Sequence, residues 1–513
     1  LSLFAGHVPG GMQCIRNGIP QLGLRCDEDV GRVLRACVGG SGLEAVTELL
    51  RQGSHIQRVT SSQQEIPYSG GDMMDVVSAV GGCLEDAIEL SDTCPLPSQP
   101  GGAVSLAVET AVEVMNLARD SLEQACLELA QSAEPLVDSA GKKPLQAVLL
   151  AARVRQTGAV EGALEAGTSL EAVAEAVRAS RASALDLLAE EPVGRRRRAL
   201  GALQALLLEQ EGVARSLAAV ADPREVAAFW QAQVRFYFAK EEGAFQARCM
   251  AAELPVGFEY DPRPVVPASS LARRFRREFM EVFGMHGGSW KAILVRGPPG
   301  AGTVQLCREV CSMFGLSPAV LDGASLASGD TFWRRATSAA KSTSGGVFGV
   351  VIVAEAHKAK RAALDACVEA CRAKQVALCI TYDPAEPMDF SVAGCTGARR
   401  AVFEATASVA DAAPEASALL AGGGFAEADK LAAKLISLFE ALAVASAEQS
   451  RSEFGSQSLQ HVCEEAAEHF LSGESPLSAV AAAVRSLITN GCLAVSVEVA
   501  ESLIAQHLAA DSQ

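Results

Sequence analysis

Apolar residues recur at helical spacing between Ala103 and about Glu134, at Leu106, Val112, Met115, Leu122 and Leu127, with acids and Arg119 between them. A stripe repeating every three to four positions falls on one helix face, so a long amphipathic helix is predicted. Gly141 and Pro144 interrupt it. A second helical tract covers Leu145 to Glu190, with candidate breaks at Gly158 and Gly167, and ends before Pro192; a third covers Arg195 to Ala221 and stops before Asp222-Pro223. The segment before Asp72 is more mixed, and Ser61 to Gly71 (SSQQEIPYSGG) reads as a loop. Consecutive long helices with short breaks describe a rod or bundle.

The pattern changes after Glu253. Pro255, Pro262, Pro264 and Pro267 mark an extended connector, since proline fixes its own backbone angle and biases its predecessor away from helix. Then come a helix (Ser269 to Phe283), an apolar strand (Ala292 to Val295), a glycine-rich turn (Gly297 to Gly302) and a helix (Val304 to Phe314). A strand near Ala319, a further helix, a strand (Val350 to Val353), a helix (Lys360 to Ala373) and a strand (Ala377 to Tyr382) follow. Strands alternating with helices predict a parallel, doubly wound sheet. Beyond Gly422-Gly423-Gly424, helical tracts at Ala426 to Glu448, Ser456 to Phe470, Pro476 to Thr489 and Val495 to Ala509 predict a small all-helical domain. The expected class is α/β plus all-α, divided as a mostly helical region 1–254, a connector 255–268, an α/β domain 269–410 and a helical domain 425–513.

Composition narrows the partners. The 513 residues are 49% hydrophobic and 20% charged, which fits a folded chain. The net charge of −17 disfavours nucleic acid and anionic lipid as partners. No uncharged apolar stretch approaches the roughly 18 residues that a membrane helix needs. The start Leu1-Ser2-Leu3-Phe4-Ala5 lacks a signal-peptide layout and carries no Met, so the numbering is expected to begin inside a longer chain. Fifteen irregularly spaced cysteines fit a reducing compartment.

Candidate chemistry centres on one turn. Gly297-Pro298-Pro299-Gly300-Ala301-Gly302, between a strand and a helix, is the setting of a phosphate-binding loop, where backbone N–H groups and a helix N-terminus surround an anion. The full pattern then requires Lys and Ser or Thr, for the phosphate charge and for Mg²⁺, and those positions hold Thr303 and Val304. The companion strand of such a site ends in Asp-Glu; here Val350-Val351-Ile352-Val353 ends in Ala354-Glu355, so the metal-holding carboxylate is missing and Glu355 remains. Asp383 follows the next strand, where it would add a second acid beside any phosphate. Cys307 with Cys311, and Cys367 with Cys371, stand at metal-ligand spacing on helices, yet without a nearby His they read as buried core. Arg195 to Arg198 reads as a solvated basic run.

Several stretches together resemble the dynein heavy chain family. Phe229-Trp230-Gln231-Ala232-Gln233-Val234-Arg235-Phe236-Tyr237-Phe238 resembles the Trp, Gln-Leu-Arg and paired aromatics that end that family's linker, and Phe258-Glu259-Tyr260 resembles the Tyr-Glu-Tyr that follows. The loop Gly297 to Val304 is similar to Gly-Pro-Ala-Gly-Thr-Gly-Lys-Thr of the first AAA+ module, Val353 to Lys358 to Phe-Asp-Glu-Phe-Asn-Arg, and Ile380 to Pro384 to Ile-Thr-Met-Asn-Pro. Gly424 to Ala432 and Phe454-Gly455-Ser456-Gln457-Ser458-Leu459 resemble parts of the helical lid, with Gln457 at the sensor arginine; Ser69-Gly70-Gly71-Asp72 is a weaker linker match. The resemblance implies a linker-like region followed by one AAA+ module whose Lys, hydroxyl, Mg²⁺ carboxylate, sensor Asn and sensor Arg are all replaced. It further implies a pseudo-ATPase without metal, with Gly297, Pro298, Gly300, Gly302, Thr303 and Val304 as an empty or weak ADP/ATP loop and Glu355 inactive. A structural or docking role in the ciliary axoneme, among other axonemal or dynein-associated proteins, follows by resemblance. A regulatory nucleotide-binding module and a piece of a longer dynein-like chain are the alternatives. A chain ending after one AAA+ module is not expected to be a motor.

Overall fold

The computed structural model describes residues 34, 36–37, 41–53, 56–65, 73–81, 87–96, 104–191, 194–261, 270–284, 290–297, 301–324, 349–386, 399–404, 413–445, 456–489 and 495–508. Helix α1 (Gly42–Gly53) begins at a capping box, in which the Glu44 N–H donates to Ser41 Oγ and the Ser41 N–H to the Glu44 carboxylate. An antiparallel sheet follows, β1 (Arg58–Glu65), β2 (Met73–Gly81) and β3 (Ala87–Pro95), in that order. Ser61 to Glu65 therefore lie in a strand, not in a loop; 66–71 are outside the described residues. Thr60 to Gln63 of this edge strand are polar and exposed, so its pairing with β2, which carries the buried Val76, Val77 and Val80, defines it.

Helix α2 (Val104–Gln131) covers β3; the short α3 (Leu136–Ser139) leads to α4 (Leu145–Ala166), α5 (Leu170–Glu190), α6 (Arg195–Ala218) and α7 (Pro223–Gln231). Helix α4 runs unbroken through Gly158 and stops at Gly167, whose φ of 63° is the left-handed C-cap conformation that glycine adopts freely. Between α5 and α6 the Glu211 carboxylate is buried and bonded by Arg178 (2.9 Å), Arg181 (2.7 Å) and Arg215. Burial alone would raise its pKa, but the three guanidiniums hold it below the usual carboxylate range. Strands β4 (Arg235–Ala239), β5 (Ala244–Cys249) and β6 (Ala252–Pro255) then form a second antiparallel sheet. At four to six residues each they are too short to impose a period on the sequence, and the helical reading of this half passes over them.

The parallel sheet comprises β7 (Lys291–Arg296), β8 (Ala319–Asp322), β9 (Val350–Ala354), β10 (Ala377–Tyr382) and β11 (Arg399–Glu404), in the order β11-β7-β10-β9-β8. Helix α8 (Ser270–Phe283) precedes it, and α9 (Thr303–Met313) and α10 (Arg361–Ala373) lie within it. Alternate strand residues enter two cores. Ile293, Val295, Ile352 and Cys379 pack with α8 and α9, while Leu294, Val351, Val353 and Ile380 pack with Leu364, Cys367 and Val368 of α10. The first core continues unbroken into α2, α4 and the second antiparallel sheet. Next to the proline connector, the Gly257 N–H donates to Phe314 O at 2.8 Å, and a Cβ on Gly315 would stand 1.8 Å from Gly257 O.

The remaining helices, α11 (Ala413–Gly422), α12 (Ala428–Ala445), α13 (Ser456–Leu471), α14 (Pro476–Thr489) and α15 (Val497–His507), enclose their own core around Leu435, Phe439, Val462 and Val484. Helix α6 touches this bundle: a Cβ on Gly201 would come within 2.3 Å of Gly422 O, and Ala205 packs on Ala418. Arg197 donates to Leu188 O, to Glu191 O at 2.8 Å and to Gly423 O at 3.4 Å. The run Arg195 to Arg198 is half-buried, not a solvated face: Arg197 caps the end of α5 and reaches the bundle, and Arg196 pairs with Glu191 at 3.1 Å. Among the described residues no helix is long and apolar enough to cross a membrane.

Two glycine replacements should move stability in opposite directions. Gly158→Ala is expected to stabilise by about 0.5–1 kcal/mol, since it sits in a helix interior with nothing within 4 Å of the new Cβ. Gly201→Ala is expected to destabilise by about 1–3 kcal/mol, because the new methyl meets backbone that cannot rotate away. Urea melts of both variants check this; a stabilised Gly201→Ala would refute the close approach.

Candidate functional site

All five strands of the parallel sheet end on one edge, the side on which open α/β sheets take ligands. The glycine turn begins there: the buried Gly297 N–H donates to Tyr382 O at 3.1 Å, which pins the end of β7 to β10. Pro298, Pro299 and Gly300 lie outside the described residues. Gly302, at φ 69°, is the N-cap of α9 and makes no side-chain cap, so the first amides of that helix are left to backbone or ligand. Thr303 and Val304 open the helix, and Val304 rests partly against the main core.

At the end of β9, Glu355 adopts φ 48°, an uncommon conformation for a residue with a Cβ. Its N–H donates to Thr381 Oγ1 at 3.1 Å, and its carbonyl lies where a Cβ on Gly323 would come within 2.4 Å. The carboxylate pairs with Lys358 Nζ at 2.9 Å, both side chains being half-exposed. That hydrogen bond raises the Lys358 pKa, with the charges of Glu355 and Asp322 acting in the same direction. Asp383 does not turn its acid freely to the edge: its Oδ1 accepts the Ala385 N–H at 2.9 Å in an Asx turn, and its own N–H donates to His357 Nδ1 at 3.3 Å. Sequence reasoning thus located Gly297, Glu355 and Asp383 on one edge but missed Lys358 and His357. Lys358, three residues from Glu355 in a helical turn, was recoverable from spacing. Gln457 lies in the first turn of α13.

Trp230, Arg235 and Tyr237 do not anchor the helical region on the α/β domain. All three converge on Glu161 of α4: Trp230 Nε1–H donates to Oε1 at 3.3 Å, the Tyr237 hydroxyl donates to the same oxygen, and Arg235 Nη1 stands 3.6 Å from it. Burial, then the bond to Glu161, pushes the Tyr237 phenol well above its usual pKa. The period of two along β4 explains the difference, because it sends Phe236 the other way, to stack on Phe314 at 6.0 Å. Phe236 makes the junction.

Cys307, Cys311, Cys367, Cys371 and Cys379 are buried thiols. The hydrogen bond with Cys379, then burial, pushes Cys307 far up; burial does the same for Cys311. Among the described residues no group of three or more His, Cys, Asp or Glu is placed to hold a metal ion. No protein-family model matches this chain, and no curated protein sequence matches it.

Proposed function

We propose that this chain is a catalytically inactive, dynein-heavy-chain-like protein, in which a linker-like region joins one degenerate AAA+ module and lid, and that it serves as a structural or docking component of the ciliary axoneme. The observation that carries the reading is the set of side chains at the loop and strand ends. Thr303 stands in the lysine position, Val304 in the hydroxyl position and Ala354 in the metal-carboxylate position, while the glycines and apolar frame persist. Phosphoryl transfer is mostly charge stabilisation, and removing a single such donor costs about 10²–10³ in rate. The engagement of Glu355 with Lys358 and of Asp383 with its own turn supports the same reading. The compartment and the axonemal or dynein-associated partners rest on the resemblance. Mg²⁺-ATP hydrolysis, followed by phosphate release, is expected to stay at background for the parent and for Glu355→Gln alike. Mg²⁺-dependent turnover abolished by Glu355→Gln would overturn the proposal.

A second reading, a regulatory module that holds ADP or ATP without turnover, draws support from Gly302 and the uncapped start of α9, which can still present amides to an anion. Isothermal titration with ADP and ATP separates the two: a micromolar dissociation constant tightened by Mg²⁺ favours the regulatory module.

A further inference from the structure

Away from the sheet edge, α4, α6, α8 and the start of β4 line an open cavity of about 60 Å³. Arg153, Arg273 and Arg276 line it, with Glu209 as the only acid among the described residues of its wall. Three guanidiniums thus share one carboxylate. Arg276 is buried and bonded to Glu209. The Arg153 guanidinium lies 5.5 Å from the centre of the Phe236 ring and finds no hydrogen-bond acceptor among the described residues. Arg273 is exposed at the rim and is likewise without an acceptor among the described residues. Trp230, Phe236 and Leu206 supply an apolar wall, and Gln156 and Gln233 complete the polar side. In a chain of net charge −17, this wall carries an excess of two positive charges.

We propose that this cavity binds a small phosphate monoester with an apolar body, the dianionic head held by Arg153 and Arg273 beside Arg276 and the body against Trp230 and Phe236. Guanidiniums match the oxygens of a phosphate by paired N–H bonds, and a dianion meets the twofold excess where a carboxylate would meet half of it. Burial pushes the Arg153 guanidinium down to about 10, with Arg276 adding to the effect and Glu209 opposing it, so at neutral pH the group stays charged and poorly solvated. A bound anion supplies the hydrogen-bond acceptors it lacks. The cavity is built from helices other than the one that follows the glycine turn, and the inference is independent of the proposed function.

Isothermal titration of the full chain with phenyl phosphate at low salt is the test, with benzoate and inorganic phosphate as comparison probes. Phenyl phosphate is expected to bind at one site at least tenfold more tightly than either. Arg153→Met is expected to weaken it tenfold or more, and Arg273→Gln several-fold; the second variant alters an exposed side chain and decides the matter if the first disturbs folding. Absence of binding by the parent at millimolar probe overturns the proposal. So does an affinity that Arg273→Gln and a folded Arg153→Met leave unchanged, which would place the probe elsewhere, for instance at the glycine turn.

Discussion

Phe279→Ala is expected to lower the free energy of unfolding by about 4 kcal/mol, within the ~3–5 kcal/mol range for deleting a large aromatic from a packed core. The ring is fully buried. It stacks on Phe314 with centroids 5.5 Å apart and planes 11° from parallel, and meets Phe275 and Phe283 edge-on at 6.3 and 4.6 Å. Phe314 stacks in turn on Phe236, so a row of rings runs from β4 past the end of α9 into α8. Each such pair adds about 0.5–1.5 kcal/mol beyond area burial. The gap would be bordered by rigid rings on several sides, which limits relaxation. A urea melt showing a loss below about 1.5 kcal/mol would mean that the core closes over the gap, and the bridging role would fail. Phe229→Ala, at an exposed ring, should stay within about 0.5 kcal/mol of the parent.

Trp230→Ala should cost about 3 kcal/mol, the lower end of the range for large aromatics, because its cluster is small. The indole is 5% exposed and packs with Val160, Leu217 and Val226, away from the main core. Its loss also removes one of the donors that converge on Glu161, whose carboxylate is only 31% exposed. Trp230→Phe keeps most of the ring and drops the N–H, so about 1 kcal/mol of the loss should remain. Equal costs for the two variants would show that packing contributes little and the hydrogen bond most. A cost of Trp230→Ala within 0.5 kcal/mol, the range of exposed sites, would contradict its burial.

What the sequence revealed divides along the length scale of its signals. The long helices α2 and α6 were legible to within a few residues because their apolar stripes span many turns and glycine or proline sits at their ends, while α4 and α5 were read as one tract in which Gly167, but not Gly158, marks the true break. Strands β7, β9 and β10 were legible because a sheet covered on both faces demands unbroken apolar runs. β11 was not foreseen: Arg399-Arg400-Ala401-Val402-Phe403-Glu404 has three charges in six residues, and pairing with β7 defines it. At the candidate site, the glycine turn and Glu355 were readable from motif order. The bond of Glu355 to Lys358 and the closed turn at Asp383 depend on side-chain direction, which a motif does not encode. The arginine-lined cavity was invisible because its charged residues come from tracts more than 100 positions apart, as with Arg153 and Arg273.

The contact of Gly201 with Gly422 bears on how work could pass through the molecule. A lever delivers displacement only if one end swings while the other is fixed. Among the described residues the C-terminal bundle is held from two sides: by α6, along α11 and at the α11–α12 turn with Arg197 on Gly423 O, and at α13, where Gln460 Nε2–H donates to Glu309 of α9 at 3.1 Å. Swinging the bundle about either point strains the other, and at Gly201 two backbones meet with no side chain to take up slack. The bundle therefore braces the molecule like a gusset between two beams, and a load applied to it spreads into α6 and α9 together instead of turning a hinge.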